Sequence, residues 1–173
     1  AAKAAGFEAA EFHLWRDKDI GGIAGALRET GVRLTGICVD PRRSLVDPAQ
    51  HGEVLDAVRG SLVAAQQLGS PPMILASGFT CEGVSEQAHF DAAVAVLKQA
   101  AALAKAASVM LLLEPLNDRV DHPGMYLVSA ARGRALTPSG DGPGGLPVIV
   151  LSHRAWSQHF AGDPGVLDRT VLV

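Results

Sequence analysis

Glu114 closes the apolar run Val109-Met110-Leu111-Leu112-Leu113 and is followed by Pro115, Leu116 and Asn117. A carboxylate at the rim of an apolar interior is costly to keep charged unless a cation meets it. Such a group serves as a ligand for a divalent metal or as a base that moves a proton. The plain alternative is a carboxylate paired with an arginine or capping the next turn. Asp121 and His122 follow a few residues later. They could add an oxygen and an imidazole to the same metal, although a turn before Pro123-Gly124 accounts for them equally well. Earlier in the chain, His13 offers a ring nitrogen to substrate oxygens, and Trp15 offers an aromatic platform or simple packing. Cys38 and Cys81 lie far apart with no CxxC spacing, so they read as plain thiols rather than a zinc knuckle or a disulfide framework. Ser152-His153 places a hydroxyl beside an imidazole, but adjacent residues give poor nucleophile–base geometry.

The elements that must position these groups alternate. Ala9 to Leu14 reads as a strand, and Asp19 then caps a helix with Ile20, Ile23 and Leu27 on one side, stopped by Gly31. Residues 32–39 form the next strand. Asp47-Pro48-Ala49-Gln50 combines a cap, a proline at the first helical position and a capping-box-like glutamine. The helix that follows carries Val54, Val58, Leu62, Ala65 and Leu68 and ends at Gly69. A short strand over 72–76 leads through a Gly-containing loop to an Ala-rich helix over 85–107. Its apolar face reads as Phe90, Val94, Leu97, Ala101 and Ala104. The fourth strand is 109–113. Continuous apolar strands alternating with helices predict an α/β protein with four parallel strands adjacent in chain order and helices on one face. In such sheets chemistry collects at the carboxyl ends of the strands, which selects His13 and Trp15, Cys38 and Asp40, Ser77, and Glu114 with Asn117.

The pattern breaks after Ser129. Residues 130–146 read as a Gly/Pro-rich linker, since Thr137 to Gly145 can be neither helix nor central strand. The glycines at 140–145 lack the flanking strand, helix and lysine of a phosphate loop. A strand-like Pro147-Val148-Ile149-Val150-Leu151 and a short helix with Trp156 and Phe160 make an irregular tail over 147–173.

The chain has 173 residues, 48% hydrophobic, with 15 Lys+Arg against 18 Asp+Glu. That is ample apolar mass for a core, without the basic block of a nucleic-acid footprint or a polybasic membrane surface. The longest pure apolar stretches fall far short of the roughly 20 residues that cross a bilayer. No signal-peptide pattern opens the chain. These features point to a cytoplasmic protein with no nucleic-acid or membrane partner.

Three motif sets carry a resemblance. Gly6-Phe7-Glu8-Ala9-Ala10-Glu11-Phe12, Glu29-Thr30-Gly31-Val32-Arg33-Leu34, and Leu113-Glu114-Pro115-Leu116-Asn117 with Val120-Asp121-His122-Pro123-Gly124 occur in order. Over residues 1–129 the chain resembles the xylose-isomerase-like TIM-barrel superfamily, within it the sugar phosphate isomerase/epimerase group that includes hydroxypyruvate isomerases. The resemblance implies a partial (β/α) barrel of about four parallel βα units. It also implies a divalent metal (Mg, Mn or Zn) at the barrel mouth and a sugar or hydroxy-carbonyl substrate that undergoes proton transfer between adjacent carbons. By that likeness Glu114 is the catalytic and metal-binding glutamate, Asn117 the polar residue of the same motif, and His13 a substrate contact. A barrel of this kind needs about 250 residues. Its first strand would precede Ala1 and most of its metal ligands would follow residue 129, so any metal is expected to bind weakly and activity to be impaired. Residues 130–173 resemble a segment of the extracytoplasmic domain of macrolide-export-type ABC-transporter permeases. The expected activity is metal-assisted aldose–ketose or hydroxypyruvate-type isomerisation. Its rivals are a non-catalytic α/β domain that binds a small molecule or self-associates through open sheet edges and, third, a transporter's soluble segment.

Overall fold

The computed structural model describes residues 2–136. Contacts divide the chain after Val128, and the sheet lies wholly in the first unit. Four strands, β1 (Ala9–Phe12), β2 (Arg33–Cys38), β3 (Met73–Ala76) and β4 (Leu111–Glu114), form one sheet in the order β1-β2-β3-β4 with every pairing parallel. The connections are α1 (Ile20–Thr30), α2 (His51–Gln67) and α3 (Glu86–Ala106). This is the α/β partial barrel of about four units that the alternation predicts.

Capping chemistry sets the helix boundaries. Asp19 accepts the Gly22 N–H to open α1, and Gly31 ends it at φ 68°. Ser85 accepts the Ala88 N–H at the start of α3. Asp47 caps a 3-10 turn over Pro48–Gln50 that runs directly into α2. Gln50 does not close a capping box on Asp47. Its side-chain oxygen instead accepts the Ser44 N–H, and its amide donates to the Asp47 carboxylate.

One sheet face is core. Ile37 and Met73, register partners on β2 and β3, are fully buried, and Leu75 is buried beside them. α2 packs on β3 and against both α1 and α3, burying Val54, Val58, Leu62 and Ala65 as its apolar spacing requires. The buried stripe of α3 differs from the expected one by about one residue. It is His89, Ala92, Ala93, Val96, Ala100 and the expected Ala104, while Phe90, Val94 and Leu97 are half-buried and Ala101 is exposed. Small side chains let the helix axis approach α2 closely, so the alanines take the centre and the large apolar groups flank it. On the opposite face Cys38, Ile74 and Leu112 are register neighbours, and exposure rises toward β4: Cys38 is buried, Ile74 half-buried and Leu112 39% exposed.

A short helix α4 (Ala130–Ala135) occupies the first residues of the segment expected as linker. The rest of that segment, the strand-like 147–151, Ser152-His153 and the remaining tail lie outside the described residues. Among those described, no helix is long and apolar enough to cross a membrane.

Candidate functional site at the strand ends

The loops leaving the four strands are tied down by a small set of polar side chains. Ser61, fully buried on α2, accepts two N–H groups through its hydroxyl oxygen: the Trp15 indole at 2.9 Å and the Asp40 backbone at 3.0 Å. The buried Asp40 carboxylate accepts the N–H groups of Trp15 and Arg16, both at 3.2 Å. The exits of β1 and β2 are thereby fixed to each other and to α2. Past Asp40 the chain stays anchored. Leu45 and Val46 are buried, the Leu45 N–H reaches the Ser77 carbonyl at 2.9 Å, and His51 holds the Leu45 carbonyl through Nε2 at 2.9 Å.

The β3 exit is equally constrained. The buried Ser77 hydroxyl accepts the Leu127 N–H at 2.8 Å, and the Gly78 carbonyl accepts the Tyr126 N–H at 3.0 Å. Gly78 adopts φ 84°, and a Cβ there would lie 2.6 Å from the Ser44 Cα, so only glycine lets the two loops meet. His89 accepts the Cys81 N–H at Nε2 (2.9 Å), which pins the end of this loop to α3.

Glu114 is the last residue of β4 itself, paired in register with Ala76, rather than the residue after the strand. Beyond it the Leu116 N–H donates to the Leu127 carbonyl. Asn117 closes a turn by accepting the Arg119 N–H at 2.9 Å and donating to Asp121 at 3.3 Å, and its carbonyl accepts the His122 N–H at 3.0 Å.

These loops surround a cleft of about 290 Å³ whose lining includes Glu114, His122, Cys38, Cys81, Arg42 and Ser44, with Ile74 and Ala76 among the strand residues. Of the residues singled out by sequence, Glu114 and His122 share the cleft with Cys38 and Cys81. His13, Trp15, Asn117 and Asp121 are not among its lining. His13 is exposed, and its carbonyl takes the Cys38 N–H at 2.9 Å. Trp15 lies along α2 through Ser61, with the Arg16 guanidinium 4.8 Å from its ring. Burial pushes the Cys38 thiol above its ordinary range, and the charges of Glu114 and Glu11 push the same way against Arg42.

Arg42, Ser44 and Met125 enter the cleft unannounced by the sequence. Taking the whole loop after a strand, rather than its first two residues, would have included Pro41-Arg42-Arg43-Ser44. Among the described residues no group of three or more His, Cys, Asp or Glu is arranged to hold a metal ion. Magnesium- or manganese-type ions take about six oxygens, so Glu114 and His122 do not by themselves fit one.

A model of the xylose isomerase-like TIM barrel family matches residues 1–136. The match stops there, so the likeness of the tail to a transporter permease finds no support. No curated protein matches the chain. Among solved structures, a family 2 AP endonuclease from Brucella melitensis is 26% identical with a TM-score of 0.72, covering 78% of this chain and 54% of its own. An L-ribulose 3-epimerase is 26% identical at TM-score 0.62, covering 78% and 47%. A zinc-bound IOLI protein shares the fold at 14% identity and TM-score 0.64, covering 78% and 50%. The chain thus spans about half the length of the solved relatives it matches. With four parallel βα units in chain order and a family match over most of its length, the chain belongs to the xylose isomerase-like TIM barrel family.

Proposed function

We propose that the chain carries part of a sugar isomerase or epimerase site, in which Glu114 is the base acting beside the carbonyl of a small hydroxy-carbonyl substrate. The observation that supports it is the position of Glu114 at the carboxyl end of β4, in the cleft with His122. The Glu114 carboxylate takes the proton from the carbon next to the carbonyl. The C–H electron pair moves into the new carbon–carbon double bond, and the carbonyl oxygen gains the charge. Protonating the neighbouring, former carbonyl carbon while the hydroxyl proton passes between the two oxygens isomerises the substrate; epimerising the first carbon takes a proton from a second acid on the opposite face. His122 reaches substrate oxygens, and Asn117 serves by fixing the turn that carries His122. A divalent metal, where bound, would polarise the carbonyl. The described donors do not complete one, so turnover by this chain alone is slow.

A second reading, an α/β domain that binds without turnover and self-associates, draws on the open sheet face at Leu112. Titrating hydroxypyruvate and a ketohexose into the isotope-labelled chain separates the two. The enzyme-site reading expects amide shifts centred on Ala76, Glu114 and His122 that weaken in Glu114→Gln. Shifts confined to other surfaces would overturn it.

A further inference from the structure

Arg42 is the cation of the cleft that has no carboxylate partner among the described residues. Its neighbour Arg43 is paired with Glu53 and donates to the Arg42 carbonyl, whereas the Arg42 guanidinium forms no ion pair among the described residues and meets the Cys38 thiol, whose hydrogen bond with it leaves its charge unneutralised. Arg42 is exposed, and it is close enough to the Cys38 thiol to favour that group's ionised form. The loop holding it is fixed at both ends, by Asp40 on Ser61 and by Leu45 on Ser77 and His51. Two residues on, the Ser44 hydroxyl is buried without a partner while its backbone N–H is taken by Gln50. A guanidinium presents five donors in a planar fork that matches a carboxylate or phosphate, and a pre-positioned loop lowers the ordering cost of using it.

We infer that Arg42 is the anion-binding residue of this cleft, so that the substrate is a hydroxy-carbonyl compound bearing a carboxylate or phosphate group. Arg42 holds the anionic end while Glu114, on the strand two places across the sheet, faces the reacting end. The inference rests on the proposed function only for which end reacts; the anion preference stands on Arg42 alone.

The test measures binding to the full chain by calorimetry with three probes: hydroxypyruvate, dihydroxyacetone phosphate and neutral dihydroxyacetone. Wild type should bind at least one anionic probe about tenfold or more above the neutral one, and the stronger of the two identifies the group the site takes. Arg42→Gln should reduce the anions to the level of the neutral probe. Arg43→Gln should leave the preference in place, because Glu53 already holds that side chain. Glu114→Gln should also leave it in place. Loss of substrate proton exchange in Glu114→Gln with the anion preference retained supports both conclusions, and retained exchange sinks only the role of Glu114. Equal binding of all three probes, no binding of any, or a preference that survives Arg42→Gln would overturn the inference.

Discussion

Replacing Ser61 by alanine removes the hydroxyl on which two loops converge. The two N–H groups that lose their acceptor are not equivalent. The Asp40 N–H sits on a residue only 7% exposed, so leaving it unsatisfied carries most of the desolvation penalty, about 1–3 kcal/mol. The Trp15 indole belongs to a half-buried side chain that water can partly reach, which limits its share to about 0.5–1 kcal/mol. Ser61→Ala should therefore destabilise the fold by about 1.5–4 kcal/mol. At a urea slope of about 2 kcal/mol per molar, the unfolding midpoint moves down by about 0.75–2 M. Urea unfolding followed by tryptophan fluorescence and by circular dichroism measures this, with coincident transitions checking two-state behaviour. A midpoint change under about 0.3 M would refute the claim that this hydroxyl anchors the β1 and β2 exits, because water would then be replacing it at no cost.

Gly78→Ala should cost about 2 kcal/mol or more, from the left-handed backbone together with a Cβ pressed on the Ser44 main chain. Gly69→Ala, at φ 88° with nothing within 4 Å, should cost only about 1 kcal/mol; equal melting-point losses would contradict this contrast. Because burial raises the Cys38 thiol in the folded state, its stabilising effect is complete below the ordinary thiol range and is lost as pH rises through the folded value. Stability of the wild type should therefore fall above about pH 9 more steeply than that of Cys38→Ala, and parallel denaturation curves would rule this out. Calorimetry with Mn²⁺ should show binding no tighter than about millimolar that vanishes in Glu114→Ala. Tight binding would mean donors beyond the described residues, and weak binding untouched by the substitution would leave Glu114 structural.

Most of the fold was legible because each signal was local and redundant. Asp19, Ser85, Gly31 and Gly69 sit at helix ends whose capping or φ requirements admit few other residues. The face of α3 was misjudged because hydrophobicity marks Phe90 and Val94, whereas close helix packing selects for small size. At the site, Glu114 and His122 could be read from a strand end and the loop after it. Arg42 could not, because its significance depends on a distant fact: Glu53 takes Arg43, and Arg42 is left without an ion pair among the described residues. Trp15 and Asn117 showed the reverse. Their types suggest substrate contact, but Ser61 and the Asn117–Asp121 turn supply partners that no local pattern displays.

The role of Glu114 is tested most directly by hydrogen–deuterium exchange at the carbon beside the carbonyl of hydroxypyruvate, followed by NMR in D₂O with the wild-type chain and with Glu114→Gln. The change from carboxylate to amide keeps the shape and removes the base. Exchange above the buffer rate in wild type, reduced about a hundredfold or to background in Glu114→Gln, is the predicted result. Exchange at the same rate in both proteins would contradict it.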